Sequence, residues 1–482
     1  MLFNSPEFLF AFLPVTFIAY HSLASLRLRS PAMAFLVLAS LFYYSYWNPR
    51  NLPVILISMA FNFLMGRAIA DASDRRRRLC FTTAGVAANL LLLGWFKYAA
   101  FIAQSLNSVF AGICPVPDVP LPLAISFFTF TQIAYLVDVS TEAGVRRYGP
   151  ITYGLFITVF PQLIAGPILY HKDLIPQFSK PEFLKLSNEN ICAGLTFLTV
   201  GLAKKVLVAD GLSRTVDVVF AAAPSATFAE AWLGALAYAL QIYFDFSGYS
   251  EMAIGLCLMF NMRLPINFDS PYKSTSIIEF WRRWHMTLSA FLKKYLYIPL
   301  GGSRRGPLLR ARNLMLTMLL GGLWHGAGWT FVIWGGLHGL YLSVNHLWRK
   351  TGLTLPKPIA WPLTFAAVVC AWVFFRAESL GDAVTLLSRM LDFRGMSLAS
   401  LTSVTSYPTL GARVHLIYAA IALTLTLLPN IQRVVGYTME SSGKPVAKYP
   451  LWLPALTGGL LFLALREVLF GTAVSEFLYF NF

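Results

Sequence analysis

Residues 321–342 read GGLWHGAGWTFVIWGGLHGLYL. They hold no Asp, Glu, Lys or Arg, and the uncharged run extends from Asn313 to Trp348. A helix needs about 20 apolar residues to cross a bilayer, so 313–347 is long enough for two crossings. In its middle His325 lies between glycines and tryptophans. A polar side chain at that depth costs free energy unless it finds a partner or faces a polar cavity. The stretch therefore points both to a membrane fold and to a place where chemistry could occur.

The rest of the chain agrees. Of 482 residues, 57% are hydrophobic and only 12% are charged, against about 25% in soluble domains. Apolar runs lie at roughly 8–26, 32–47, 52–70, 79–103, 121–140, 150–169, 189–209, 228–260 (one span or two), 313–347, 359–375, 413–430 and 450–470. That makes about eleven to thirteen transmembrane or re-entrant helices, and the expected fold class is an all-α polytopic membrane protein. The opening MLFNSPEFLFAFLPVTFIAYH lacks a basic start and a small-residue cleavage site, and reads as the first retained span. The net charge of +16 has no basic soluble domain to carry it. Nucleic acid is therefore not an expected partner, and the lipid bilayer is. Cys80, Cys114, Cys192, Cys257 and Cys370 form no CxxC pair and read as small buried residues.

Basic residues orient the first spans. Arg27 and Arg29, then Arg67 and Arg75 to Arg78, then Arg146 and Arg147 follow spans one, three and five. The loops between them are poor in base, which places the N-terminus outside and the odd-numbered loops in the cytoplasm. Lys172, Lys180 and Lys185 then fall on the wrong side if 150–169 crosses fully. Pro161, Gly166 and Pro167 lie in that segment, so a re-entrant helix returning to the cytoplasm restores the pattern. Such backbone survives at membrane depth only inside protein or along a cavity.

Residues 263–312 hold ten Lys or Arg against two acids, Asp269 and Glu279. Over 277–297 apolar residues recur at helical spacing around Arg282, Arg283, Lys293 and Lys294, as in amphipathic helices at an interface. The segment could simply anchor to anionic lipid, or it could bind a polyanionic donor. In 241–255, QIYFDFSGYSEMAIG, the residues Gln241, Tyr243, Asp245, Ser247 and Glu251 make a polar island. It suits either helix–helix hydrogen bonds or the lining of a tunnel. The seven histidines form no HExxH and no tight His/Cys cluster, so no metal site is expected. No GxSxG elbow occurs either. What remains is a buried base, His325, with Trp324 and Trp329 as cavity walls or ordinary packing. The nearby Gly321, Gly322, Gly326 and Gly328 suit close helix approach or room for a substrate.

Four blocks together resemble the membrane-bound O-acyltransferases: PQLIAGPILY (161–170), QIYFDFSGYSEMAIG (241–255), FWRRWHMTLSAFLKKYLYIPLGG (280–302) and GGLWHGAGWTFVIWGGLHG (321–339). The opening MLFNSPEFLFAFLPVTFIAYH and the closing FLYFNF are similar to the bacterial branch that includes alginate O-acetyltransferase. The resemblance implies one membrane domain over 1–482: N-terminal spans 1–147, a catalytic core 148–347 and C-terminal spans 348–482. It also implies a helical body around a central tunnel. His325 and His285 fall on the family's catalytic positions. His325 would act as general base, and His285 would orient the donor or stabilise an oxyanion. Trp281, Arg282, Arg283, Trp324, Tyr243, Asp245, Lys293 and Lys294, with Arg304 and Arg305, are candidates for donor binding or tunnel lining.

The implied reaction takes acetyl groups from acetyl-CoA, or another activated acyl donor, on the cytoplasmic side of a bacterial inner membrane. It passes them outward for O-acetylation of an exported polysaccharide, alginate first, with periplasmic acetyltransferase or carrier proteins as partners and no bound cofactor. Relatives in the branch acting on cellulose, peptidoglycan or teichoic acid remain alternatives, the last with a carrier-bound D-alanyl donor. A transporter of a polyanion or lipid-linked sugar, or a scaffold of an export complex, would also explain the spans and the basic segment.

Overall fold

The computed structural model describes all residues except 111, 142–146, 305, 394–411, 440–449, 472–475 and 482, and omits the side chains of 412–417, 480 and 481. Arg146 and Arg305 lie outside the described residues. Among the described residues every regular element is helical. Six stretches are long and apolar enough to cross a membrane: Phe8–Ser25, Pro49–Asp71, Arg75–Val109, Asn188–Ala221, Lys357–Arg376 and Trp452–Phe470. Their outward faces expose Val15, Leu64, Leu91, Leu363 and Phe462. Such surfaces suit lipid, where apolar side chains carry no hydration cost.

The cysteines depart from expectation. All five are free, as read, but Cys80 and Cys192 are exposed, Cys114 and Cys370 half-buried, and only Cys257 is buried. The apolar runs that hold Cys80 and Cys192 turn one face to the surroundings, and a small apolar thiol sits there as easily as in the core.

The interior is built around Phe228–Met259, one helix of 32 residues. The alternative of two spans over 228–260 is thereby corrected. Thr227 and Glu230 start the helix with a reciprocal capping box. Gly248 and Gly255 do not break it, because they are contact points. A Cβ at Gly255 would strike the Gly194 carbonyl, and one at Gly201 the Gly248 carbonyl. Glycine spacing thus lets Phe228–Met259 press against Asn188–Ala203, backbone to backbone. Among the N-terminal spans, Asn62 and Asn89 exchange amide hydrogen bonds of 2.7 and 3.1 Å. In an apolar medium such reciprocal pairing joins helices that dispersion alone would leave unregistered.

The re-entrant reading of 150–169 agrees with the structure. Pro150–Thr158 and Phe160–Leu163 are short helices followed by extended chain. Tyr148 and His171, flanking the segment, hydrogen-bond at 2.9 Å, so the chain leaves where it entered. Arg29 donates to the carbonyls of Ser179 and Lys180, which puts 171–185 at the same end as the first basic loop.

Residues 277–297 depart from a helix lying on the interface. Two short helices, Ile277–Arg283 and Met286–Leu292, are separated by Trp284 and His285. His285 has φ +42°, a left-handed conformation. Both residues at the break are at most 1% exposed. The amphipathic pattern holds, but its apolar side is packed into the protein body and not laid on lipid.

Candidate active site

His325 is the last residue of the helix Pro307–His325, and Trp329–Trp348 begins after an extended Gly326–Gly328 link. The two helices cross closely. A Cβ at Gly322 would collide with the Phe331 carbonyl, and one at Gly335 with that of Met318. At Gly326 the Phe331 ring occupies the space a Cβ would need. Of the two roles open to these glycines, Gly322 and Gly326 serve close approach.

The crossing carries His325 to the centre of the protein, where it is 3% exposed. Its ring is ringed by aromatics: Trp324 at 4.8 Å, Trp334 at 5.1 Å, Phe375 at 5.2 Å and Tyr479 at 5.6 Å between centroids. Its Nδ1 is buried without a hydrogen-bond partner among the described residues.

His285 stands 6.3 Å from His325, centroid to centroid. Its Nδ1 meets Asn267 Oδ1 at 3.1 Å. Thr287 donates its backbone N–H and its hydroxyl to the same Oδ1, at 3.3 and 2.9 Å. That oxygen is therefore an acceptor, so His285 Nδ1 carries the proton and Nε2 a lone pair. Nε2 is buried and unpartnered among the described residues. In this tautomer His285 can accept a hydrogen bond but has no proton with which to hold an oxyanion. An accepting Nε2 could orient a hydroxyl, whereas holding an oxyanion would need a proton on that nitrogen.

On the basic side, Ser276, Ile278, Glu279, Arg282, Arg283 and Arg349 line a recess of about 420 Å³. Arg283 is committed to Glu279 at 2.8 Å, while Arg282 and Arg349 are exposed. Burial raises the Glu279 pKa, but the Thr275 amide and hydroxyl and the Arg283 guanidinium together hold it below the usual carboxylate range. Trp281 turns inward and donates Nε1–H to His338 Nδ1 at 3.2 Å. Trp334 spans from His338 at 4.9 Å to His325 at 5.1 Å. Recess and histidine centre are thus joined by a file of aromatic and imidazole rings.

The remaining expected residues scatter. Lys294 pairs with buried Asp138 at 2.7 Å, and Lys293 and Arg304 are exposed. Trp324 stacks on Phe130 at 5.4 Å. Tyr243 is buried against Tyr272 and Phe268. Asp245 pairs with Lys205 at 2.8 Å, and its Oδ2 accepts the Leu478 N–H at 2.8 Å. Lys205 also donates to the Glu476 carbonyl at 3.0 Å. Asp245 therefore works as an anchor for residues 476–479.

That anchor explains a residue absent from the sequence candidates. Tyr479 is buried against His325, against His285 at 6.5 Å and against Phe246 at 4.2 Å. Together with Asn51, residues 121–127 and Ile164 it lines a second cavity of about 240 Å³. Ile125, in its wall, begins the helix Ile125–Thr141, whose far end places Asp138 beside Lys294 of the basic segment. Asn267 and Lys97 were likewise not singled out. Only Lys97, a lone charge in the apolar run 79–103, carried a signal in sequence.

A family model described as MBOAT, the membrane-bound O-acyltransferase family, matches residues 42–380. The chain is 41% identical to a peptidoglycan O-acetyltransferase of Helicobacter pylori, covering 100% of this chain and 98% of that one. It is 38% identical to a probable alginate O-acetylase of Azotobacter vinelandii over 100% of both. A teichoic acid D-alanyltransferase of Streptococcus thermophilus is 26% identical over 49% of this chain and 59% of its own length.

Proposed function

The chain belongs to the membrane-bound O-acyltransferase family, and on that premise we propose that it carries acetyl groups across a bacterial inner membrane to an exported polysaccharide. The protein is a multi-pass membrane O-acyltransferase. The finer reading rests on one observation: His325 and His285 meet at a buried centre, and the protein also carries a basic recess and a separate uncharged cavity lined by Tyr479, which touches both histidines.

The recess suits a donor with phosphates, acetyl-CoA first, at the cytoplasmic face; Arg282 and Arg349 are its exposed cations, without an ion pair among the described residues. The N-terminus would then be periplasmic. The acyl thioester reaches the centre along Trp281, His338 and Trp334. An acceptor hydroxyl enters from the Tyr479 side, gives its proton to His325 and attacks the carbonyl carbon. The C–S bond breaks and the thiolate leaves toward the recess. His285 Nε2 accepts a hydrogen bond that orients the reacting groups. A general base of this kind contributes about 10²–10⁴-fold to rate. Alginate is the polymer suggested by both termini and by the Azotobacter relative. The Helicobacter relative, similar over its full length, supports peptidoglycan as a second acceptor reading. Periplasmic acetyltransferase or carrier proteins would complete delivery.

The test uses full-length protein in liposomes with labelled acetyl-CoA at the basic face and mannuronate or muropeptide oligomers at the other. Label appearing as ester on one oligomer supports the reading and chooses the polymer. No ester from acetyl-CoA, with transfer only when a labelled carrier-bound D-alanyl donor replaces it, or oligomer moved without esterification, overturns it.

A further inference from the structure

Lys97 lies in a π-helical turn, Gly94–Tyr98, at membrane depth, and is 7% exposed. A buried ammonium there is costly, and no step above uses it. Among the described residues its partners are two backbone carbonyls and a hydroxyl, and no carboxylate. Nζ reaches the Trp324 carbonyl at 2.5 Å, the His325 carbonyl at 3.2 Å and the Ser126 hydroxyl at 3.2 Å. Three acceptors match the three N–H bonds of an ammonium.

The identity of those carbonyls matters. A helix leaves its last carbonyls without intrahelical donors. Here the chain turns extended at Gly326, and the final helical bond runs from the Gly326 N–H to Gly322. The carbonyls of Leu323, Trp324 and His325 are next in line. Tyr98 OH donates to Leu323 O at 3.0 Å, and Lys97 satisfies the other two. Two consecutive residues of one turn thus close the end of the helix that carries His325, where the helix dipole favours a cation. Through Ser126 the same ammonium reaches the wall of the cavity that Tyr479 lines.

We infer that Lys97 is a positioning residue for acyl transfer: its ammonium clamps the end of the Pro307–His325 helix and so sets the His325 ring. The inference rests on the reading of His325 as the base. Tyr98 and Ser126 supply one hydrogen bond each, whereas Lys97 holds two helix carbonyls and the cavity wall at once.

The experiment compares wild type, Lys97→Met, Lys97→Arg and Tyr98→Phe as full-length protein in nanodiscs. Two quantities are read: kcat and donor KM for labelled acetyl-CoA, and hydrogen–deuterium exchange across 321–329. For Lys97→Met the expected result is a fall in kcat of about tenfold or more, the cost of a misplaced base, with donor KM within about twofold. Exchange should quicken at 324–329 and nowhere else. Lys97→Arg should recover most of both, and Tyr98→Phe should lose little. Unchanged kcat and exchange in Lys97→Met overturn the inference, as does faster exchange throughout the chain. If wild type transfers no acetyl, the proposed activity fails and exchange alone decides: a rise confined to 324–329 upholds the clamp, and its absence removes it.

Discussion

The rings of His285 and His325 lie 6.3 Å apart, although one begins a short helix at a left-handed residue and the other ends a long helix. Each offers a buried ring nitrogen with no partner among the described residues. Under the proposed reaction, these two nitrogens would face the acyl carbonyl and the acceptor hydroxyl.

Replacing His325 by Ala should lower acyl transfer by about 10²–10⁴-fold, the range for loss of a general base. The variant should fold with a lowered thermal midpoint, because Ala leaves a cavity among Trp324, Trp334, Phe375 and Tyr479. Transfer of labelled acetyl in liposomes measures the first, and differential scanning fluorimetry the second. Equal transfer by variant and wild type would remove His325 as base.

Asn267 should matter through the tautomer it imposes on His285. Asn267→Leu deletes the shared acceptor of His285 Nδ1 and Thr287, and kcat should fall by about tenfold or more. Asn267→Asp keeps an acceptor oxygen and should retain more activity than the Leu variant. The reverse order would contradict the assignment.

Mutations in the basic recess should act on donor binding. Arg282→Ala with Arg349→Ala should raise the KM for acetyl-CoA while leaving kcat within about twofold, the signature of a lost binding contact. Added salt should weaken the wild type toward the double variant. A fall in kcat at unchanged KM would move the phosphates elsewhere.

Breaking the Lys205–Asp245 pair should loosen residues 476–479. Asp245→Leu leaves a buried ammonium with one fewer counter-charge, a loss of about 3–5 kcal/mol. Protease cleavage of a C-terminal tag-proximal site should accelerate. Lys205→Met combined with Asp245→Leu should cost less than Asp245→Leu alone, since no charge is then stranded at that pair.

Gly322→Val should lower the thermal midpoint. The added side chain meets the Phe331 carbonyl, and overpacking of this kind costs about 1–3 kcal/mol. Gly458→Ala, where nothing lies within 4 Å of the new Cβ, serves as the neutral control.

Much of this protein is written locally. A charge-free run from Asn313 to Trp348 can only be stable away from water, so the membrane class follows from composition. The basic loops and the prolines of 150–169 disclosed a segment that returns to its starting side, because charge and backbone hydrogen bonding act over short range. His325 stood out because an imidazole framed by glycines and tryptophans in an apolar run is costly wherever it lies.

The partners of that histidine were decided only in three dimensions. Asn267 sets the His285 tautomer because a left-handed turn at His285 brings the two together. Asp245, which in the sequence suited either helix–helix hydrogen bonding or a tunnel lining, is an anchor because Lys205 comes to lie 2.8 Å from it. Tyr479 and Lys97 reach the centre from opposite ends of the chain, Lys97 by way of helix-end carbonyls that no sequence pattern displays. Hydrophobicity is additive along a chain and so is legible residue by residue. Hydrogen bonds between distant segments depend on which backbones approach, and that was settled by packing, glycine against carbonyl, at the helix crossings.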